Sequence, residues 1–339
     1  MERHVPFESN FCCSSIVGSF NSKTLLPTDG VHVAGVGLLV YLSLTTWKKM
    51  RRDNNLRCRN WLLFLLVVFL WGSNWSVMKL GLRFVSPSNF LLQRLLLSAA
   101  VLSPILFVSL EKIPRKSSVI CRLLLLSLIF ASSILATLTG LVEEGSGLGA
   151  VLTYTQPLFV FCLAVPFLRE RVTPIRLFGA IVGFVGIITP FLGSLSSFSV
   201  DSTIILLLGA LLWAVALVYY KRSLIHVDPL VTNFFQLSLG AIPLCMFSLF
   251  ADGFVFPGDA AYVWIILYTS VGAFTIGSTV WLFIVKEEDV TVVAGSSFLV
   301  PLVALLFGWI FLGETVRIES MIGSALILAG VYLVNTKRL

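Results

Sequence analysis

Charged residues are scarce in this chain, and their scarcity excludes most soluble folds. Only 12% of the 339 residues are charged, while 57% are hydrophobic; a soluble domain carries about 25% charge. The six cysteines form no CxxC pair and show no metal-ligand spacing, so the sequence predicts neither a metal site nor another cofactor. The paired-aspartate, HxxxxD-like and GxSxG-like groupings of membrane enzymes are also missing, so we identify no catalytic residue and expect no enzyme.

The chain is instead rich in long apolar runs. Each run has about 19–24 residues, and a helix of that length crosses roughly 30 Å of hydrocarbon. Helices are favoured over strands because backbone groups in lipid need partners within the same segment. The sequence therefore predicts an all-α polytopic protein in the lipid bilayer, with ten transmembrane helices near 60–79, 88–110, 121–141, 146–168, 174–193, 203–221, 230–251, 262–285, 290–312 and 318–336.

The first 59 residues form an N-terminal extension outside these runs. Residues 1–30 are polar with little periodicity, which predicts a disordered tail. Residues 31–47 are apolar but only 17 long, at the lower limit for a span. Three alternatives stay open here: an extra anchor helix, an interfacial segment, or a chain that starts at Met50.

Lysine and arginine are concentrated in alternate loops. Eighteen of them lie in one set of loops, and only Lys79, Arg83 and Arg317 lie in the other. Cytoplasmic loops carry the basic excess in membrane proteins, so we expect residues 48–59 and the C-terminus in the cytoplasm, at the plasma membrane. The net charge of +7 then reflects topology, and no nucleic acid partner is expected.

The chain also matches itself at a nearly fixed shift. Residues 143–186 meet residues 287–330 at a shift of 144 with eleven identical positions, and a second match upstream has a shift of 142. The matches include Glu143/Glu287, Glu144/Glu288, Pro157/Pro301, Gly179/Gly323, Gly186/Gly330, Trp71/Trp213, Lys79/Lys221 and Pro87/Pro229. They predict a first five-helix repeat over 60–193 and a second over 203–337. Because five is odd, the second repeat is inverted, and a site is expected near the bilayer midplane between the halves.

Short motifs in both repeats resemble those of the EamA family of the drug/metabolite transporter superfamily. They are Trp71-Gly72-Ser73-Asn74 with Lys79, Gln93-Arg94-Leu95, Leu152-Thr153-Tyr154 with Pro157, Pro301, and Phe311-Leu312-Gly313-Glu314. The resemblance covers residues 60–337. It implies ten helices in two inverted five-helix repeats around a cavity lined by the third, fourth, eighth and ninth helices. It also implies movement of metabolites, amino acids or drugs, often outward.

Arg94 is the charged residue that lies furthest inside a span. It lies roughly 9 Å into the second span at 1.5 Å per residue, where a charge costs about 2.5–3.5 kcal/mol if it is central. One interpretation is an anion anchor in the cavity for a carboxylate or phosphate. The other is an arginine that extends to the outer interface or pairs with a helix C-terminus.

Further candidates for the cavity are polar and aromatic residues inside spans. An asparagine beside tryptophan faces suits an amphipathic solute, although aromatic packing is an equal alternative. Hydroxyl and amide groups near the two matched prolines could bind solute or bond between helices. The candidates are Trp71, Asn74, Tyr154, Gln156, Trp213, Trp281, Ser296 and Ser297. Pro157 and Pro301 are expected to kink their helices and to act in gating or in shaping the cavity, with a kink of no functional consequence as the alternative.

Four carboxylates precede the fourth and ninth spans at the expected cavity rims: Glu143, Glu144, Glu287 and Glu288. They could bind a cation or exchange protons. The alternative is that acidic residues at a helix N-terminus complement its dipole.

Small residues at helical spacing predict close packing. Gly179 and Gly183 in the fifth span, and Ala325 and Ala329 in the tenth, favour packing within the bundle, with a dimer contact as the alternative. We therefore expect a monomer or a homodimer.

These features predict a secondary transporter that exports small organic metabolites, such as amino acids, by alternating access. Exchange of nucleotide sugars or sugar phosphates, and multidrug export, stay open as alternatives. Proton-coupled pumps usually keep a carboxylate within the membrane, and no Asp or Glu lies mid-span here. We therefore expect facilitated diffusion, exchange, or coupling through the rim glutamates.

Overall fold

The computed structural model describes residues 56–107, 110–143, 146–189, 199–251, 253–312 and 318–336. The predicted N-terminal tail, the segment over 31–47 and Glu144 lie outside these residues. The first repeat contains helices Leu56–Gly81, Pro87–Phe107, Ser117–Glu143, Ser146–Thr153 with Gln156–Leu168, and Pro174–Ile188. The second contains Val200–Ser223, Pro229–Ala251, Ala260–Leu267 with Tyr268–Gly277 and Ser278–Glu287, Val290–Ser296 with Leu299–Leu312, and Ile318–Asn335.

These helices form ten spans, numbered first to tenth in chain order, and a short 3₁₀ turn at Leu110–Lys112. Eight spans within the described residues are long and apolar enough to cross a membrane. The fifth and tenth are shorter apolar helices, Pro174–Ile188 and Met321–Asn335. The predicted multi-pass membrane architecture is confirmed.

Proline residues mark where several spans begin. The second, fifth and seventh spans start at Pro87, Pro174 and Pro229. Proline is favoured at the first helical position because its missing N–H would have no intrahelical partner there. The local sequence thus fixes these three starts.

Contacts between the two repeats come in exchanged pairs, as a two-fold axis requires. The third span packs on the sixth as the eighth packs on the first, and the fourth packs on the sixth as the ninth packs on the first. The second packs on the seventh and the fifth on the tenth, so these two pairs lie on the axis. With five spans in each repeat, the axis lies in the membrane plane. The predicted inverted-repeat fold is confirmed.

The fifth and tenth spans meet backbone to backbone at glycines. A Cβ at Gly330 would lie 2.5 Å from the Gly183 nitrogen, and one at Gly186 would lie 2.7 Å from the Gly323 oxygen. Glycine permits such an approach because it has no side chain. Ala325 and Ala329 take no part, since both are exposed on the tenth span. The expectation that this alanine pair packs within the bundle is wrong.

The fourth and ninth spans are both interrupted near the middle by two-residue turns, at 154–155 and 297–298. Pro157 is the second residue of Gln156–Leu168, and Pro301 is the third residue of Leu299–Leu312. Each proline therefore lies in the first turn of a new helical segment, where its missing N–H costs nothing. The expected kinks are full interruptions, and they occur at matched places in the two repeats.

The eighth span departs from a regular helix over Tyr268–Gly277, which is π-helical. Such segments are rare and are frequent at functional sites. Four side chains from three other spans donate hydrogen bonds to its carbonyl oxygens. The pairs are Arg94 Nη2 to Thr269 O (3.4 Å), Ser98 Oγ to Ser270 O (3.0 Å), Trp71 Nε1 to Ala273 O (3.2 Å) and Asn233 Nδ2 to Phe274 O (3.0 Å).

Candidate functional site

A buried cavity, the main cavity, lies among the first, second, third, fourth, sixth and eighth spans. Its volume is ≈ 80 Å³. Six of the predicted site residues line it: Trp71, Asn74, Arg94, Tyr154, Gln156 and Trp213. Residues that lie far apart in the chain, in different repeats, are thus brought to one place by the pairing of the repeats.

Arg94 is fully buried in the wall of the main cavity, with 0% of its side chain exposed. Its guanidinium carbon lies 3.8 Å from the centroid of the Phe274 ring and 5.4 Å from that of Phe90. Its Nη1 contacts Met78 Sδ at 3.3 Å. Arg94 therefore lies inside the bundle, and the alternative in which it extends to the outer interface is wrong.

No carboxylate belongs to the cavity wall among the described residues, so the guanidinium charge has no acidic partner there. Two contacts stabilise the charge instead. The Phe274 and Phe90 rings attract it by cation–π interaction, and the Thr269 carbonyl oxygen accepts a hydrogen bond from it. A buried charge with this support still lacks full compensation. Its environment suits an anionic ligand.

Four buried polar atoms of the cavity wall have no hydrogen-bond partner within the described part of the chain. They are Asn74 Oδ1, Arg94 Nε, Thr153 Oγ1 and Trp213 Nε1. Buried polar groups are nearly always bonded, and leaving one unpaired costs about 1–3 kcal/mol. Three of the four carry a hydrogen that can be donated, and Asn74 Oδ1 only accepts. The set matches a solute that carries acceptors and at least one donor.

Trp281 lies outside the main cavity. It lines a neighbouring pocket of ≈ 30 Å³, the twin pocket, together with Phe130, Tyr220 and Gln236. Trp213 lines both spaces. The Nε1 atom of Trp281 is buried and has no partner among the described residues.

Ser296 and Ser297 do not reach the main cavity. Ser296 lines a separate space of ≈ 300 Å³ beside Glu288 and Asn335, and it accepts a hydrogen bond from Asn335 Nδ2 at 2.8 Å. Ser297 is buried and donates to the Ala294 oxygen at 2.6 Å. No described residue of the ninth span lines the main cavity, which differs from the expectation.

The rim carboxylates bond across the boundary between repeats. Glu143 is the last residue of the third span, and it accepts hydrogen bonds from Ser199 (3.2 Å) and Ser202 at the start of the sixth. Glu288 accepts a hydrogen bond from Asn60 Nδ2 (3.3 Å) in the first span. Glu143 and Glu288 both lie at helix C-termini, so the expected role at a helix N-terminus is wrong for them.

Glu170 performs that capping role instead. Its carboxylate, at the end of the fourth span, accepts hydrogen bonds from the Val290 nitrogen (2.8 Å) and the Thr291 nitrogen (3.1 Å). It therefore caps the ninth span from the other repeat, because the first amides of a helix lack intrahelical partners. Glu287, the fourth predicted rim carboxylate, is exposed at the end of the eighth span.

Two matched lysines close the ends of the third and eighth spans. Lys79 Nζ donates to Leu141 O (2.7 Å) and Val142 O (2.8 Å). Lys221 Nζ donates to Val285 O (2.6 Å) and Glu288 O (2.9 Å). A cation there binds carbonyls that have no partner in their own helix. The repeat thus places equivalent contacts at opposite ends of the bundle.

Several wall residues of the main cavity were missed by sequence reasoning. They are Trp75, Met78, Ser133, Thr137, Phe274 and Ser278. Ser133 and Thr137 are four residues apart in one helix and so share a face. Phe274 matches Phe130 at the repeat shift of 144. These two signals could have found them.

The fold and the buried cavity define a multi-pass membrane protein of the inverted-repeat transporter class. The model of the EamA-like transporter family matches residues 60–191 and 202–336. The chain belongs to this family, as its motifs predict.

Curated relatives and solved structures agree with this assignment. An uncharacterized transporter of Bacillus subtilis, YoaV, is 27% identical over 275 residues, which covers 79% of this chain and 93% of that protein. A protein of Salmonella typhimurium named as a probable amino-acid metabolite efflux pump is 27% identical, over 80% and 93% of the two chains. One crystal structure matches with a TM-score of 0.70 at 18% identity, over 82% of this chain and 97% of that chain. That likeness supports the fold alone.

Proposed function

We propose that this protein is a secondary transporter that exports small organic metabolites, such as amino acids, across the plasma membrane by alternating access. The observation that carries the proposal is the main cavity, where a fully buried Arg94 meets unpartnered donor and acceptor atoms between the two repeats. A charge in the membrane that no acid neutralises is a functional site by default. Arg94 would hold a carboxylate of the solute.

The contacts at the two ends of the bundle support alternating access. Glu143 joins the third span to the sixth at one end, and Glu288 joins the eighth to the first at the other. If the contacts at one end break while those at the other end stay formed, one face of the bundle opens and the other stays closed. The interrupted fourth and ninth spans supply matched places for bending.

The size of the main cavity favours a small solute. Ligand pockets usually measure about 300–1,000 Å³, and this one measures ≈ 80 Å³. A nucleotide sugar would not enter without extensive opening. An amino acid or a related organic acid needs less rearrangement.

The decisive experiment is counterflow in liposomes that contain purified protein. Amino acids, sugar phosphates, nucleotide sugars and cationic drugs are screened with and without a pH gradient. We expect an anionic or carboxylate-bearing solute to exchange, and Arg94→Ala to reduce its uptake by about a hundredfold with unchanged insertion. Arg83→Ala is the matched control, because Arg83 is exposed. Equal uptake by both variants would remove Arg94 from the site.

The orientation of the halves can be tested by labelling from each side. Single cysteines at positions 143 and 287 are treated with an impermeant thiol reagent outside and then inside intact cells. We expect position 143 to react from outside and position 287 from the cytoplasm. Reaction of both from the same side would contradict the proposed topology.

A further inference from the structure

The twin pocket is the repeat-related copy of the main cavity. Nine residues line the twin pocket, and each has its partner, at a shift of 142 or 144, in the wall of the main cavity. Trp213 corresponds to Trp71, Gln236 to Arg94, and Phe130 to Phe274. The pseudo-two-fold axis therefore produces two half-sites.

The two half-sites differ in charge. Arg94 gives the main cavity a cation, whereas Gln236 leaves the twin pocket neutral. Neither wall contains an Asp or Glu among the described residues. A solute that used both half-sites would present one anionic end and one uncharged end.

The two half-sites are adjacent and share aromatic walls. Trp213 and Ser278 line both. The Trp71 ring lies 5.5 Å from the Trp213 ring and 5.0 Å from the Trp281 ring, centroid to centroid. A flat apolar body could pack against this group at low cost in entropy. Small ring movements would join the two spaces.

The twin pocket also offers hydrogen-bond donors. The indole Nε1 atoms of Trp213 and Trp281 are buried and unpartnered within the described residues. An indole N–H can only donate, so it calls for an acceptor such as an ether, carbonyl or hydroxyl oxygen. The main cavity supplies Asn74 Oδ1 for a donor on the solute.

We infer that the twin pocket is a second subsite of the transport site. The solute is then a monocarboxylate with a flat apolar body, an uncharged donor that faces Asn74 and an uncharged acceptor at its far end. The carboxylate binds Arg94, and the far end binds Trp281 in the twin pocket. This inference rests on the transport function proposed above. Among the small organic metabolites of that proposal, it selects organic acids over zwitterionic amino acids, because an ammonium group near the guanidinium is repelled and finds no carboxylate. The tryptophan faces could still attract an ammonium, so the test includes one.

The first test uses a matched ligand series on purified full-length protein. Binding of 3-phenylpropionate, L-phenylalanine and 2-phenylethylamine is measured by indole fluorescence and by competition. We expect the anion to bind at least about tenfold tighter than the other two. Equal or tighter binding of phenylalanine or the amine would overturn the monocarboxylate assignment.

The second test isolates the twin pocket. Adding a 4-methoxy group to 3-phenylpropionate supplies an acceptor, and we expect about fivefold tighter binding. Trp281→Phe keeps an aromatic ring but removes the N–H, so the substituted and unsubstituted acids should bind to this variant with equal affinity. Trp264→Phe is the control, since Trp264 is exposed. A methoxy gain that persists in Trp281→Phe would overturn the second subsite.

A charge exchange between the half-sites gives an independent check. Arg94→Gln should weaken anion binding by about tenfold or more. Adding Gln236→Arg should restore most of the lost affinity, with the carboxylate of the ligand now in the twin pocket and its uncharged end in the main cavity. No rescue in a double variant that keeps wild-type elution and helicity would contradict equivalent half-sites.

The two proposals fail in different ways. Counterflow of a zwitterion or cation, without anion binding, would refute this inference but leave the proposed transport function in place. Absence of exchange for every solute in the screen would refute the transport function itself.

Discussion

The two repeats share a fold but contribute unequally to the site. Twelve of the sixteen residues that line the main cavity come from the first repeat, including Arg94. The second repeat contributes Trp213 and three residues of the eighth span. Symmetry builds the frame of the bundle, and departures from symmetry give the cavity its charge. A transporter made of two identical halves would have two identical half-sites.

The helices that correspond to one another also differ in regularity. The third span is a continuous α-helix over Ser117–Glu143, whereas the eighth contains the π segment Tyr268–Gly277. The carbonyl oxygens of that segment receive donors from Trp71 and Arg94. The charge in the first repeat and the irregular backbone in the second therefore act as one unit.

The largest effect is expected where the two repeats meet on the axis. Gly330→Ala places a Cβ 2.5 Å from the Gly183 nitrogen, and backbone cannot rotate away as a side chain can. We expect a loss of about 3 kcal/mol or more in stability, measured as thermal unfolding in detergent. Gly258→Ala is the control, because a Cβ at that position would have no neighbour within 4 Å. Equal melting temperatures for the two variants would contradict a backbone contact on the axis.

A second substitution tests the difference between the third and eighth spans. Gly277→Ala brings a Cβ to 2.7 Å from Trp71 Nε1, while Gly272→Ala meets its nearest neighbour at 3.5 Å. We expect Gly277→Ala to displace the Trp71 ring and reduce transport by about tenfold or more, with folding kept. Indole fluorescence reports the ring, and counterflow reports transport. If Gly272→Ala were equally harmful, the Trp71 contact would not be the cause.

The matched interruptions test whether both repeats bend. Pro157→Ala and Pro301→Ala each favour a more continuous helix, because alanine supplies the missing N–H. We expect turnover to fall by about tenfold with less than about twofold change in solute affinity. Pro166→Ala, on an exposed residue of the same fourth span, serves as the control. A loss confined to affinity would argue against gating.

The smallest effects are expected at the two ends of the bundle. Glu143→Ala removes contacts to Ser199 and Ser202, and Glu288→Ala removes the contact to Asn60. We expect hydrogen exchange to rise by about three- to fivefold at the start of the sixth span in the first variant only. The start of the first span should respond only in the second. Identical exchange patterns in both variants would refute separate contacts at the two faces.

Much of the fold could be predicted from the sequence, because the length of an apolar run predicts a span directly and matched prolines and glycines reveal the repeat. Ten spans, and the repeat carried by Pro157/Pro301 and Gly179/Gly323, follow from the chain alone. The prediction for the alanine pair on the tenth span is wrong because helical spacing does not tell which face packs. The glycines of that span form the contact instead.

The site was harder to predict because its geometry depends on tertiary contacts. Nothing local in residues 268–277 announces a π-helix, whose carbonyls are bonded by residues some 40 to 200 positions away. Position in the second span could not decide whether Arg94 pointed inward. Phe274 and Thr269, which hold it, come from the other repeat. The rim glutamates likewise bind partners that no spacing rule brings together.

The glycine contact between the fifth and tenth spans has one more consequence. It joins the halves without any covalent link: Gly179 faces Gly330, and its repeat-matched partner Gly323 faces Gly186. Two half-length polypeptides made separately would carry complementary edges and could reassemble along this line. The molecule can therefore be regarded as a dimer whose subunits happen to be translated together.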